Sequence, residues 1–242
     1  MTRNLEEFNG KHKDQVCFII CPGPSVAEQD LEPLKNHVTI VVNSGYLAAP
    51  WATYFISDDW SVAKFSYFAE LANSKHITVL LYENKLSNTA HLFGDRAVLF
   101  RHCKGINIPD IYEHKNPKNH IGETRSSLGS GIMISKIMGC SKIVLIGADC
   151  CRYNGYRYFW QAAPQKGPYR VDHVPLDNYK KCNVRGQVTD YDLLEIAKSW
   201  NILGPAINKK CSVYNASPIS ILRIFPKIDL KEFLEKELLS TV

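Results

Sequence analysis

Residues 16–25 read Val-Cys-Phe-Ile-Ile-Cys-Pro-Gly-Pro-Ser, an apolar run of the buried-strand type that stops at two prolines and a glycine. Ser25 is a good N-cap and Glu28 stands three residues later, so the pattern predicts a capping box at the start of a helix. A strand that turns sharply into a helix directs backbone N–H groups and the positive end of the helix dipole at one point. The stretch therefore predicts either an anion-binding site or a plain turn into a capped helix.

Strand-like and helical patterns alternate along the rest of the chain. Strands are predicted at 16–21, 38–42, 53–57, 77–82, 97–100, 142–147 and 212–214, and helices at 26–34, 61–73, 127–139, 190–200 and 231–239. Residues 103–120, rich in Asn, Pro, His and Lys, are predicted to be loop. This alternation predicts an α/β fold, a single Rossmann-like, mostly parallel sheet with helices on both faces.

Composition is that of an ordinary globular protein. The 242 residues are 45% apolar and 22% charged, with a net charge of +5 carried by scattered Lys and Arg. This balance suits an anionic substrate without requiring nucleic acid. We expect one domain over residues 1–242, with a C-terminal helix at about 229–240 that packs on the domain or forms a homo-oligomer contact.

The cysteines and the N-terminal residues indicate the cellular compartment in which we expect the protein. The eight cysteines form no Cys-x-x-Cys pair and no Cys/His cluster at zinc spacing, so we expect reduced thiols and no structural metal. Residues 1–15 are polar and do not resemble a signal peptide. No apolar run reaches the roughly 20 residues that span a bilayer. The prediction is a cytoplasmic protein without a membrane span.

A long segment at 150–187 lacks clear periodicity but is rich in aromatic residues. It carries Tyr153, Tyr156, Tyr158, Phe159, Trp160, Tyr169 and Tyr179. Irregular segments of this length in a compact domain are often binding loops, and the aromatic content argues against disorder. We predict a lid over a ligand.

Polar residues follow several predicted strands. They are Gly23, Pro24 and Ser25 after the first strand, Asn43 after the second, Asp58 and Asp59 after the third, and Asp149 after the strand at 142–147. Ligands of open parallel sheets bind outside the carboxyl ends of the strands, so these residues predict one crevice. Each also has a local alternative, because Asn43 suits a turn, Asp58 and Asp59 a helix start, and Asp149 its own loop.

Residues 125–149 carry a family resemblance. They read Arg-Ser-Ser-Leu-Gly-Ser-Gly-Ile-Met-Ile-Ser-Lys-Ile-Met-Gly-Cys-Ser-Lys-Ile-Val-Leu-Ile-Gly-Ala-Asp. This stretch resembles bacterial sialyltransferases of glycosyltransferase family 42, whose pattern is Arg-x-Thr-Ser-Gly, a small-residue helix, Gly-Tyr-Lys, an apolar strand and Gly-x-Asp. The Gly-Pro-Ser turn, Asn43 and residues 213–218 with Ser220 are also similar, so the resemblance runs from about residue 16 to 222.

A related family has the same Gly-Pro-Ser start and an Asp at the position of Asp58. It includes archaeal 6-hydroxymethyl-dihydropterin pyrophosphokinases, the central domain of flagellin-glycosylation factors and phage proteins. That resemblance implies a pyrophosphokinase that uses ATP and Mg²⁺ on a pterin-like hydroxymethyl group, with Asp58 or Asp59 holding the metal.

The family 42 resemblance implies a GT-A-like variant of the fold, a nucleotide-sugar donor as co-substrate and an inverting transfer that needs no metal. It places Gly23, Pro24, Ser25 and Asn43 at the phosphate and nucleotide of the donor, and Ser126 and Ser127 near the donor at the start of a helix. Asn215, Ser217 and Ser220 would close over the base of the nucleotide, and Asp149 would lie in the same crevice. Tyr158 matches one of two lid tyrosines that hold the leaving phosphate, and the other falls on Arg152 or Tyr153.

Two departures from the family pattern concern catalysis. Leu128 stands where the family has a glycine, and no histidine lies in 184–187, where the family has its general base. His173 in the lid is the nearest substitute, and Asp58 or Asp59 is the alternative base.

The sequence thus predicts a glycosyltransferase that moves a sugar from a nucleotide-activated, CMP-linked donor to an unidentified glycan or small molecule. The alternatives are the Mg²⁺-dependent pyrophosphokinase, a phage-type glycosyltransferase acting on modified DNA bases, and a degenerate protein that only binds a nucleotide.

Overall fold

Eight parallel strands form the central sheet of a computed structural model, which describes residues 3–103, 119–122, 126–162, 180–184, 186–208 and 211–239. The strands are β1 (Val16–Ile20), β2 (Val38–Val42), β3 (Tyr54–Ser57), β4 (Thr78–Tyr82), β5 (Ala97–Cys103), β6 (His120–Gly122), β7 (Lys142–Ile146) and β10 (Ser212–Asn215). A separate antiparallel hairpin joins β8 (Lys181–Val184) to β9 (Gln187–Asp190). The predicted parallel α/β sheet is confirmed.

Helices of two kinds connect the strands. The α-helices are α1 (Ser66–Asn73), α2 (Glu83–Leu86), α3 (Ser127–Ile137), α4 (Tyr191–Asn208) and α5 (Leu230–Leu239). Short 3₁₀ helices form many of the other connections, among them Pro24–Glu28, Glu32–Asn36, Asn43–Leu47, Trp60–Lys64 and Phe159–Ala162.

The sheet separates two apolar cores because successive side chains of each strand point to opposite faces. On one face, Ile19 of β1 belongs to the core that contains Ile132 of α3 and Trp200 of α4. On the other face, Phe18 belongs to the core that contains residues of α1 and α5, such as Leu71 and Leu234. Strands buried on both sides explain the continuous apolar runs in the sequence.

The strand order is β10-β7-β1-β2-β3-β4-β5-β6. From β1 the chain adds strands on one side as far as β6, and it then returns to place β7 on the other side of β1. The order therefore reverses between β1 and β7, which is where open α/β sheets form their ligand crevice.

Several local predictions were wrong. The helix predicted at 26–34 is two 3₁₀ helices, since Pro33 in the second one has no N–H to continue a helical ladder. The predicted capping box is absent from these residues: Gly23 occupies the N-cap position, and the hydroxyl of Ser25 donates to Asp149. The helix predicted at 61–73 is divided between a 3₁₀ helix and α1.

Two segments predicted to be irregular contain strands. β5 continues to Cys103, the first residue of the segment predicted as loop, and β6, which pairs with β5, begins at its last residue, His120. The predicted lid at 150–187 contains a 3₁₀ helix, β8 and the start of β9, while its residues 163–179 and 185 lie outside the described part of the chain.

The loops after β1 and β7 approach each other closely at two glycines. The N–H of Gly23 donates to the carbonyl oxygen of Gly147 over 3.0 Å, which extends the ladder between these strands. Gly147 has φ +65°, and a Cβ at this position would overlap the side chain of Val26 and the carbonyl oxygen of Cys21. Only glycine combines this conformation with this contact.

We expect Gly147→Ala to lower the free energy of unfolding by about 3 kcal/mol. About 1–2 kcal/mol comes from the left-handed conformation and a similar amount from overpacking. Gly94→Ala is the matched control, because Gly94 has φ +58° and no atom within 4 Å of an added Cβ. It should lose only about 1–2 kcal/mol in urea denaturation. Equal losses in the two variants would contradict the close-contact argument.

Candidate active site

A cleft of about 710 Å³ opens at the carboxyl ends of the strands, beside the reversal between β1 and β7. It brings together eight of the residues selected from the sequence: Gly23, Asn43, Asp58, Asp59, Ser126, Ser127, Asp149 and Tyr158. They come from six separate places in the chain, and the parallel sheet places them at one edge.

Asp149 is buried in the floor of this cleft. Its carboxylate accepts the backbone N–H and the hydroxyl of Ser25, each over 2.8 Å. Burial raises the pKa of Asp149 to about 6, although the hydrogen bonds from Ser25 favour the charged form. The anion at the predicted anion site is therefore the protein's own carboxylate. Pro24 and Ser25 are buried and are not part of the cleft lining, so their contact with a ligand stays a prediction.

Asn43 follows β2 in a left-handed conformation, with φ +50°. Its side-chain Oδ1 is buried and accepts no hydrogen bond within the described residues. A buried acceptor without a donor costs about 1–3 kcal/mol, and both features are typical of functional sites. Contact of Asn43 with a ligand stays a prediction.

Asp58 has three neighbours in the cleft wall. Its backbone N–H donates to Ser127 Oγ over 2.8 Å, and its Oδ2 accepts the hydroxyl of Ser130 over 2.7 Å. His102 Nε2 lies 3.0 Å from the same Oδ2. His102 was not among the residues selected from the sequence, because the fifth strand was predicted to end at Phe100.

Asp59 has a different role from its neighbour. Its two carboxylate oxygens accept the backbone N–H and the hydroxyl of Ser61, over 2.9 and 2.8 Å, and so cap the helix Trp60–Lys64. The predicted alternative, that an aspartate here starts a helix, is confirmed for Asp59. The cap also holds Trp60 in the cleft wall with 53% of its surface exposed.

Tyr158 is held by its neighbour Arg157, whose Nε donates to the tyrosine hydroxyl oxygen over 3.0 Å. The other guanidinium nitrogens of Arg157 donate to Asp190 over 2.7 Å and to both oxygens of Asp192 over 3.0 and 2.5 Å. Arg152 donates to the other oxygen of Asp190. The repeated Arg-Tyr dipeptide at 152–153 and 157–158 is a sequence signal for this network.

The remaining predicted residues that the structure describes are not part of the cleft lining. Tyr153 pairs with Tyr156 through backbone hydrogen bonds. Ser217 Oγ accepts the N–H of Ala148, and Ser220 Oγ donates to the carbonyl oxygen of the same residue. Asn215 accepts the N–H of Ser217 and is buried, so this segment supports the loop after β7. Contact of Asn215, Ser217 or Ser220 with a base stays a prediction, and His173 lies outside the described residues.

Three properties concern metals, thiols and membranes. No group of three or more His, Cys, Asp or Glu side chains in the described residues is arranged to hold a metal. All eight cysteine thiols are free, and most are buried. Among the helices described, none is long and apolar enough to cross a bilayer.

The raised pKa of Asp149 predicts a pH-dependent stability. The folded-state pKa lies above the unfolded value of about 3.9, so stability is lost as pH rises toward and through about 6. We expect the free energy of unfolding of the wild type, minus that of Asp149→Asn, to fall by about 2 kcal/mol between pH 4.5 and 7 in urea titrations. A difference that is constant or rises over this range would refute a buried, costly carboxylate.

No family model matches the chain, and no curated protein sequence matches it at a significant level. Among solved structures, the chain is similar to the MAf glycosyltransferase from Magnetospirillum magneticum AMB-1, with a TM-score of 0.58 at 11% identity. The similarity covers 98% of this chain and 40% of that one, so this chain spans less than half of its length. At this identity the likeness concerns the fold alone, and the chain shares its Rossmann-like α/β fold with part of that protein.

Proposed function

We propose that the chain is a glycosyltransferase that takes a sugar from a nucleotide-activated, CMP-linked donor without a metal. The observation that carries the proposal is the cleft, which collects Asn43, Asp58, Ser127 and Tyr158 from separate elements at one sheet edge. The fold shared with part of a glycosyltransferase supports the same reaction class.

The donor phosphate is assigned to the region between the start of α3 and Tyr158. The first backbone N–H groups of a helix have no intrahelical partner and carry partial positive charge, and Ser126 and Ser127 begin α3 in the cleft wall. Because Arg157 donates to the hydroxyl oxygen of Tyr158, that hydroxyl is held as a donor. A fixed donor of this kind stabilises negative charge on a leaving phosphate.

The Mg²⁺-dependent pyrophosphokinase is the weaker candidate. The two adjacent carboxylates in the cleft, Asp58 and Asp59, are its supporting observation. Three of their four oxygens already have protein partners, namely both oxygens of Asp59 and Oδ2 of Asp58. A Mg²⁺ ion that took more than one ligand from this pair would have to share these oxygens with the protein's own donors.

The first experiment is a thermal-shift comparison of CMP, UDP, GDP, ATP with Mg²⁺, and a pterin. A ligand of the native state at 100 times its Kd adds about 2.7 kcal/mol, which raises the Tm of a chain of this size by several degrees. We expect a rise with CMP that EDTA leaves unchanged. A rise only with ATP and Mg²⁺ would favour the pyrophosphokinase, and no rise with any compound would refute nucleotide binding.

We expect Tyr158→Phe to reduce kcat for nucleotide release from the donor by on the order of 10²-fold, with the donor KM changed by less than about threefold. The lost hydroxyl would act on charge that develops in the transition state, so turnover suffers more than binding. Tyr156→Phe is the matched control, since Tyr156 is exposed and outside the cleft lining. A change confined to KM would rule out the transition-state role.

A further inference from the structure

Asp58 and His102 form a partly buried pair in the cleft wall. Their side chains are 13% and 8% exposed, and both residues line the cleft. Asp58 follows β3, whereas His102 lies on β5, with β4 between these strands. The sheet therefore brings together two residues that are 44 positions apart in the sequence.

The imidazole ring of His102 faces an oxygen on each side. Its Nδ1 lies 3.1 Å from the carbonyl oxygen of Gly122, and its Nε2 lies 3.0 Å from Oδ2 of Asp58. A carbonyl and a carboxylate only accept hydrogen bonds, and a neutral imidazole has a single N–H. Beside an ionised Asp58, the ring makes both hydrogen bonds when each of its two nitrogens carries a proton. In that state the ring has a positive charge next to the carboxylate.

The carboxylate of Asp58 is fixed through one of its oxygens. Oδ2 accepts from Ser130 and faces His102, while the backbone N–H is anchored on Ser127. Oδ1 is buried and has no hydrogen-bond partner in the part of the chain that the structure describes. Leaving a buried charged acceptor without a donor is unfavourable, and a hydroxyl group of a ligand in the cleft would satisfy it.

We propose that Oδ1 of Asp58 is the atom that takes the proton from the acceptor hydroxyl, and that His102 is the positioning residue that holds the carboxylate of Asp58 in place through Oδ2. This assignment rests on the proposed glycosyltransferase function. As the acceptor oxygen bonds to the anomeric carbon of the donor, its proton passes to Oδ1. The bond from the anomeric carbon to the phosphate oxygen breaks, and its electron pair leaves with the phosphate. Among the bases predicted from the sequence, which are His173, Asp58 and Asp59, the pair favours Asp58.

The test is nucleotide release by the full chain from CMP-N-acetylneuraminate and from UDP- and GDP-sugars, with water as the acceptor. Asp58→Asn keeps the size of the side chain and one oxygen but cannot take a proton. We expect its kcat to fall by on the order of 10²- to 10⁴-fold, with the donor KM within about threefold of wild type. His91→Ala, an exposed histidine outside the cleft lining, should release nucleotide at the wild-type rate.

The role of His102 is tested by a second pair of variants. His102→Ala should lose about tenfold or more in kcat at unchanged donor KM, and His102→Gln should regain most of it, because the glutamine amide can donate to Oδ2. A purely structural role would change stability in both variants without this rescue. If circular dichroism shows that Asp58→Asn does not fold, the two His102 variants still test whether the contact between His102 and Asp58 is needed for nucleotide release.

The outcomes separate this inference from the function on which it rests. If Asp58→Asn releases nucleotide at a rate within threefold of the wild type, Asp58 is not the base, and the proposed glycosyltransferase function is unaffected. Loss of release in His173→Ala would then identify His173 as the base. No release by the wild type from any of these donors overturns both proposals.

Discussion

The buried carboxylate of Asp149 is the constraint on which the cleft depends. It accepts two hydrogen bonds from Ser25 and so ties the loop after β7 to the loop after β1, next to the backbone contact between Gly147 and Gly23. These two loops flank the reversal of strand order, so their separation sets the width of the crevice. Because the carboxylate is buried at some energetic cost, its hydrogen bonds are the reason that it is tolerated.

Two networks of charged groups lie in the cleft. In one, Arg157 is held between Asp190 and Asp192 and donates to the hydroxyl oxygen of Tyr158. In the other, Asp58 is paired with His102. Buried ion pairs with several hydrogen bonds contribute modestly to stability but fix geometry well. In the proposed reaction, this division separates stabilisation of the leaving phosphate from removal of the acceptor proton.

Much of the fold was predictable because buried parallel strands appear as apolar runs that end at turn residues. All seven predicted strands lie within three residues of their observed bounds, as with 97–100, which the structure extends to Cys103. The errors arose where tertiary contacts override local pattern. Ser25 has the sequence context of an N-cap, but its hydrogen-bond partner Asp149 lies 124 residues away. His102 could not be assigned to Asp58 from periodicity, since that contact depends on the strand order and not on spacing along the chain.

The support of the loop after β7 has a consequence for how the protein is made. Ala148 is held by hydrogen bonds to Ser217 and Ser220. In addition, β7 pairs with β1, more than a hundred positions earlier in the chain, and with β10, about seventy positions later. A ribosome adds residues in order, so a nascent chain that ends before residue 220 lacks part of the frame around the cleft even though every lining residue has been synthesised. The frame around the cleft is therefore complete only after the supporting segment has emerged.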